Sequence, residues 1–118
     1  KNEYKRVRRC GGHSSTISHL DWSMDSKIIM SNCNAYEILY FDAQTGHQIK
    51  ANQRDTAWSS YTCILGFNVM GIWPEGSDGT DINALDRSTS QKYVVTADDL
   101  GLVKVFNYPC VMRQAPHR

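Results

Sequence analysis

A chain of 118 residues with a formal net charge of +1 is long enough for one small domain, and it lacks the strong basic balance of an electrostatic nucleic-acid binder. No run of about 20 apolar residues is present to read as a membrane span, and residues 1–15 have no apolar centre of the signal-peptide kind. Cys10, Cys33, Cys63 and Cys110 lie far apart without a C-x-x-C pair, and His13 and His19 have no cysteines at finger spacing. Free thiols of a reducing compartment fit this pattern better than a disulfide framework or a zinc finger, so no metal or other cofactor is expected.

In chain order, the first element is the basic stretch "NEYKRVRRC" (2–10), whose alternation reads as a strand with Arg6 and Arg8 on one face. Strands are then predicted at 17–22, in "KIIMSN" and in "YEILYFD", separated by the polar turns "SMDSK" and "NCNA". "QTGHQIKA" (44–51) reads as a fourth, outer strand with Gly46 in its turn. The polar stretch "NQRDTAWSSY" carries Trp58 and Tyr61, read as loop aromatics that anchor a partner, against the competing reading that packed sheet cores and interfaces consume such aromatics. In "YTCILGFNVMGIWP" (61–74), Cys63, Leu65, Phe67 and Val69 alternate, which predicts an added or extended outer strand.

Next comes "EGSDGTD" (75–81). Its residues Gly76, Asp78, Gly79 and Asp81 are read as a crossover turn, with glycines for special backbone conformations and aspartates bonding local amides. A carboxylate metal site is the rival reading, but Glu75, Asp78 and Asp81 lack calcium-loop spacing and a closing Glu. Three more strands are predicted after it, with the turns "STSQK" and "DDLG".

The two strand sets are copies. "ISHLDWSMDSKIIMSNCNAYEILYFD" (17–42) aligns without a gap on "INALDRSTSQKYVVTADDLGLVKVFN" (82–107), an offset of 65 residues. Ile17 falls on Ile82, Leu20 on Leu85, Asp21 on Asp86, Ser23 on Ser88, Lys27 on Lys92, Ser31 on Thr96 and Phe41 on Phe106. Each unit is a strand–turn–strand–turn–strand that ends in an aromatic followed by Asp42 or Asn107, and Gly12-His13 precedes the first. That is the pattern of a WD repeat, one four-stranded blade of a β-propeller. The fold expected is all-β: a propeller fragment of about two four-stranded antiparallel blades, at 12–74 and 75–118, with 2–10 as the outer strand of a preceding blade.

"GHSSTISHLDWSMDSKIIMSN", "YEILYFD", "VVTADDLGLVKVFNYPC" and above all "GIWPEGSDGTDINAL" together resemble the echinoderm microtubule-associated protein-like family over nearly the whole chain. The resemblance implies part of the more C-terminal of two atypical propellers, without enzymatic activity. It also implies a cytoplasmic, cytoskeletal location and tubulin or microtubules as partner. A protein-interaction scaffold, with microtubule contact made elsewhere, is the alternative. In typical WD repeats an Asp, the Gly-His imidazole, a strand hydroxyl and the Trp indole form a hydrogen-bonded set. Here His13 and Ser31 fill two of those places in the first unit, whereas in the second Thr96 matches Ser31 but the usual His is replaced. Ala35 and Phe41 cannot fill the other two, so no conventional tetrad is expected. The partner-contact candidates are Arg6, Arg8, Trp58 and Tyr61. For the arginines the competing reading is a solvated edge whose charges block strand-to-strand aggregation. No nucleophile elbow or phosphate loop occurs.

Overall fold

The computed structural model describes residues 3–74, 82–113 and 115–118. Strands β1 (Ile17–Trp22), β2 (Ile28–Cys33) and β3 (Ile38–Asp42) form one antiparallel sheet in that order. Strands β4 (Ile82–Arg87), β5 (Tyr93–Asp98) and β6 (Val103–Asn107) form a second. The described residues form an all-β structure with a short 3-10 segment at Phe67–Ile72.

The 65-residue repeat holds at the level of hydrogen bonds. Ile17 faces Cys33 and Ile82 faces Asp98, and both ladders then slip at a bulge, between Ile17 and His19 and between Ile82 and Ala84. Ile28 faces Asp42 as Tyr93 faces Asn107. Left-handed backbone recurs at Ser26 and Gln91 (φ 63 and 61) and at Tyr36 and Gly101 (φ 64 and 78). The cause is shared turn chemistry. The Ser23 hydroxyl accepts from the Ile28 amide at 2.9 Å, and the Ser88 hydroxyl accepts from the Tyr93 amide at 3.2 Å. A serine at this point closes the turn with its side chain and fixes the register of the strands on either side.

The outer strand of each sheet is short. Residues 47–49 pair with β3: the Asp42 amide donates to the His47 carbonyl at 2.8 Å and the Ile49 amide to the Tyr40 carbonyl at 2.7 Å. Gly46 makes the connecting turn at φ 80, with the Arg9 carbonyl packed where a Cβ would stand. In the second sheet, Val105 and Arg118 exchange both backbone bonds, at 3.0 and 2.9 Å, so the last residues of the chain lie in the outer-strand place. Residues 3–10, expected as an outer strand, carry no ladder among the described residues. An outer strand needs its own blade's inner strand beside it, and no described strand offers that edge.

The 61–74 segment is not an outer strand. Tyr61, Cys63, Ile64, Val69 and Ile72 are buried in one core with Met30 of β2 and with Ile82, Leu85, Val94 and Phe106 of the second sheet. The segment is therefore a wedge between the two sheets. Its later backbone bonds reach the chain beyond β6, with the Gly71 amide donating to the Cys110 carbonyl at 2.8 Å and the Cys110 amide to the Asn68 carbonyl at 2.7 Å. Apolar side chains on both sides of the wedge must be buried, which a half-exposed strand of period two could not do.

Candidate functional site

The motif residues converge at the edge of the first sheet. Gly12 has φ 130 and swings His13 back under the sheet, where His13 Nε2 lies 2.6 Å from Ser31 Oγ. The imidazole side chain is 5% exposed and tilts against Phe41, ring centroids 6.3 Å apart. The acid missing at Ala35 is supplied from two residues further on. Glu37 Oε1 stands 3.4 Å from His13 Nδ1, while the Ser14 amide and hydroxyl each donate to the carboxylate at 2.8 Å. These Ser14 bonds, the backbone one foremost, hold the Glu37 carboxyl down at about 2. Ser31 thus hydrogen-bonds the imidazole, Glu37 stands near its other nitrogen in the acid's place without a hydrogen bond to it, and Phe41 packs in the fourth place.

Asp42, in the family's Asp place, does separate work. Its carboxylate accepts from the Gln44 and Thr45 amides at 2.8 and 3.0 Å and caps the turn into residues 47–49. Those backbone bonds lower its pKa, that from Thr45 contributing most. In the second sheet Thr96 and Phe106 are buried like their counterparts, and Asn107 is exposed. Gly76, Asp78, Gly79 and Asp81 lie outside the described residues.

The partner-contact candidates separate. Trp58 and Tyr61 are 3% and 1% exposed, so neither can anchor a partner. Trp58 bridges to Ser23, stacks on Tyr40 at 6.1 Å, and its carbonyl accepts from the Arg87 guanidinium at 2.7 Å. Tyr61 tilts against Tyr108 in the wedge, and burial pushes its phenol pKa well up. The polar neighbours 52–57 suggested a loop tip, but the loop folds its aromatic ends inward. Arg6 and Arg8 are both exposed. The Arg8 guanidinium is committed to the carbonyls of Gln44 and Val7.

Two buried residues that sequence reasoning passed over hold the wedge in place. The Asp21 carboxylate accepts from the Ser60 hydroxyl at 2.8 Å and from the amides of Thr62 and Cys63, each at 2.8 Å. Asn32 makes a two-way bond with the Leu65 backbone, donating at 3.0 Å and accepting at 2.9 Å. The Asp21–Asp86 identity was the available signal, although Asp86 is exposed. Burial also raises the Cys63 thiol, so it offers no ready thiolate nucleophile. Between the sheets, a cleft of about 530 Å³ is lined by His19, Cys33, Tyr36, Ile64, Asn83 and Asp99, among others.

Two sheets of one register, ending in Phe41-Asp42 and Phe106-Asn107 and sharing one core, define successive blades of a WD-type β-propeller. The family model for the echinoderm microtubule-associated protein second beta-propeller matches residues 1–118. Over 117 residues, 97% of this chain, the sequence is 55% identical to echinoderm microtubule-associated protein-like 4 of Homo sapiens. Over 116 residues it is 53% identical to echinoderm microtubule-associated protein-like 3 of Homo sapiens and 51% identical to echinoderm microtubule-associated protein-like 1 of Mus musculus, covering 96% and 97% of this chain. The chain belongs to the echinoderm microtubule-associated protein family, within its second β-propeller. It spans only 12%, 13% and 14% of those three relatives, respectively.

Proposed function

We propose that this chain is a non-enzymatic propeller segment of a microtubule-associated protein, which contributes to binding tubulin or microtubules and to microtubule organisation in the cytoplasm. The observation that carries this reading is family membership over the full 118 residues, with relatives that bear the microtubule-associated name. The described residues fit a binding module better than an enzyme: the motif histidine is tied to a serine and set against a phenylalanine, and two of the cysteines are buried thiols with raised pKa. We further propose that the segment is two blades of a larger closed ring, because blades bury their faces only against neighbours. Exposed Ile17, Leu20, Trp22, Leu102 and Val103 are the side chains such neighbours would cover.

A second reading is a propeller scaffold for other proteins, with microtubule contact made elsewhere in the parent chain. The cleft between the sheets and the near-neutral charge favour it. Co-sedimentation of the complete second propeller with polymerised tubulin decides between the two. Saturable pelleting supports the microtubule reading. A folded propeller that stays in the supernatant, while the full-length protein pellets, supports the scaffold.

A further inference from the structure

We propose that His13, Cys33 and Glu37 form a binding site for a thiophilic divalent cation of the zinc class, a role that does not depend on microtubule binding. One ligand atom from each, Nδ1, Sγ and a carboxylate oxygen, lies within 4.8 Å of the other two. The Cys33 thiol is buried at the end of β2 and donates to Glu37 Oε1 at 3.2 Å. His13 Nδ1 is 3.4 Å from that same oxygen. Around a tetrahedral zinc, bond lengths near 2.1 Å to N and O and 2.3 Å to S put neighbouring ligand atoms about 3.3–3.6 Å apart. The two spacings to Glu37 Oε1 therefore need only a few tenths of an ångström of adjustment, and the Nδ1–Sγ spacing, within 4.8 Å, closes toward the same range when all three bind.

The second observation is the imidazole itself. Nδ1 is buried and, among the described residues, has no hydrogen-bond partner. Ser31 engages the opposite nitrogen at 2.6 Å. If the imidazole donates its Nε2 proton to Ser31, Nδ1 turns a lone pair toward a carboxylate, an arrangement that a cation between them relieves. Ser31 then orients the ligand histidine through its remote nitrogen, and Ser14 holds the carboxylate through two bonds. The set combines nitrogen, sulfur and oxygen, which favours zinc over magnesium or calcium. Three protein ligands leave a fourth position for water, and Glu37 is the partly exposed side through which an ion would enter. Binding converts the Cys33 thiol to a thiolate and releases its proton to solvent, with no change of oxidation state. The competing occupant is a proton on Nδ1, which would leave a purely structural histidine–glutamate pair.

The test is cobalt(II) chloride titration of the full-length parent protein and of Cys33→Ser and Glu37→Gln variants, each confirmed as folded by circular dichroism. Wild type should gain a thiolate-to-cobalt charge-transfer band that saturates at one equivalent beyond the Cys33→Ser background and is bleached by zinc chloride. Glu37→Gln should keep that band but weaken binding by about ten-fold or more. Superimposable spectra for folded wild type and folded Cys33→Ser would overturn the site. So would full-affinity binding by Glu37→Gln.

Discussion

Asp21 meets the Thr62 amide with both carboxylate oxygens, at 2.9 and 2.8 Å, and so fastens the inter-sheet wedge to β1. The same carboxylate also serves Ser60 and the Cys63 amide, leaving a buried charge fully surrounded by donors. Its repeat counterpart Asp86 is exposed, and among the described residues its carboxylate accepts from the neighbouring Arg87 amide alone, at 3.1 Å. One sequence position thus carries two different energetic weights.

Asp21→Ala should therefore destabilise the complete propeller strongly, and Asp86→Ala hardly at all. Removing Asp21 leaves buried amides without acceptors, each costing about 1–3 kcal/mol. A surface change away from special features stays within about 0.5 kcal/mol. Urea denaturation midpoints of the two variants check this. Equal losses would mean that Asp21 does not hold the wedge.

The wedge also sets a steric demand at Gly71. A Cβ there would stand closer than 3.0 Å to the Met112 carbonyl oxygen, with the Cys110 carbonyl and thiol also against it. The two carbonyls are backbone atoms and cannot swing aside. Gly71→Ala should cost about 1–3 kcal/mol by overpacking. Gly11→Ala, with open space around the added carbon, is the control that should change little. Thermal melts of the complete propeller measure both.

These two residues mark what was and was not legible in the sequence. The blade register was legible because Ile17, Leu20, Ser23 and Lys27 reappear 65 residues on, and turn serines fix strand register by local bonding. The wedge was not legible. The alternation of Cys63, Leu65, Phe67 and Val69 resembles a strand, but burial from two sides removes the meaning of period two. Trp58 looked exposed from its polar neighbours, whereas the bridge to Ser23 and the stack on Tyr40 hold it inward. Glu37 was missed because the tetrad acid was sought at position 35. A longer side chain starting two residues later reaches the same imidazole.

Trp58→Ala should accordingly act on stability and leave partner choice unchanged. Losing a buried tryptophan costs about 3–5 kcal/mol. We expect a lower melting temperature, with microtubule co-sedimentation unchanged for whatever fraction remains folded. A fully stable variant that no longer pellets would restore Trp58 as a contact residue.

Acid should loosen the turn that Asp42 caps. The Thr45 and Gln44 amides lower its folded pKa below the ordinary 3.8. A lowered carboxylate pKa contributes stability that is present above 3.8 and is lost as pH falls from there through the lower folded value. Asp42→Asn keeps an acceptor for one amide but removes the charge. The stability gap between wild type and Asp42→Asn should close in that acid range and stay constant from pH 5 to 7, as denaturation across pH would record. A gap that widens on acidification would contradict the cap.

The last expectation concerns the exposed arginines, where geometry separates two residues that alternation placed on one face. Arg8 is tied to the Gln44 carbonyl beside the Asp42 turn, whereas Arg6 is exposed with no such bond described. Arg6→Glu should then report on a partner, and Arg8→Glu on the local turn as well. If this edge meets the acidic tubulin surface, Arg6→Glu weakens co-sedimentation most at low salt. Rim charges act mainly through association rate, and their reach shrinks to about 10 Å at 0.1 M salt. The melting temperature should stay within error for Arg6→Glu and fall for Arg8→Glu. Binding by Arg6→Glu that matches wild type across a salt series would assign the basic stretch to a solvated edge, whose like charges discourage strand-to-strand association. The inter-sheet cleft lined by His19, Tyr36 and Asp99 would then be the next surface to test.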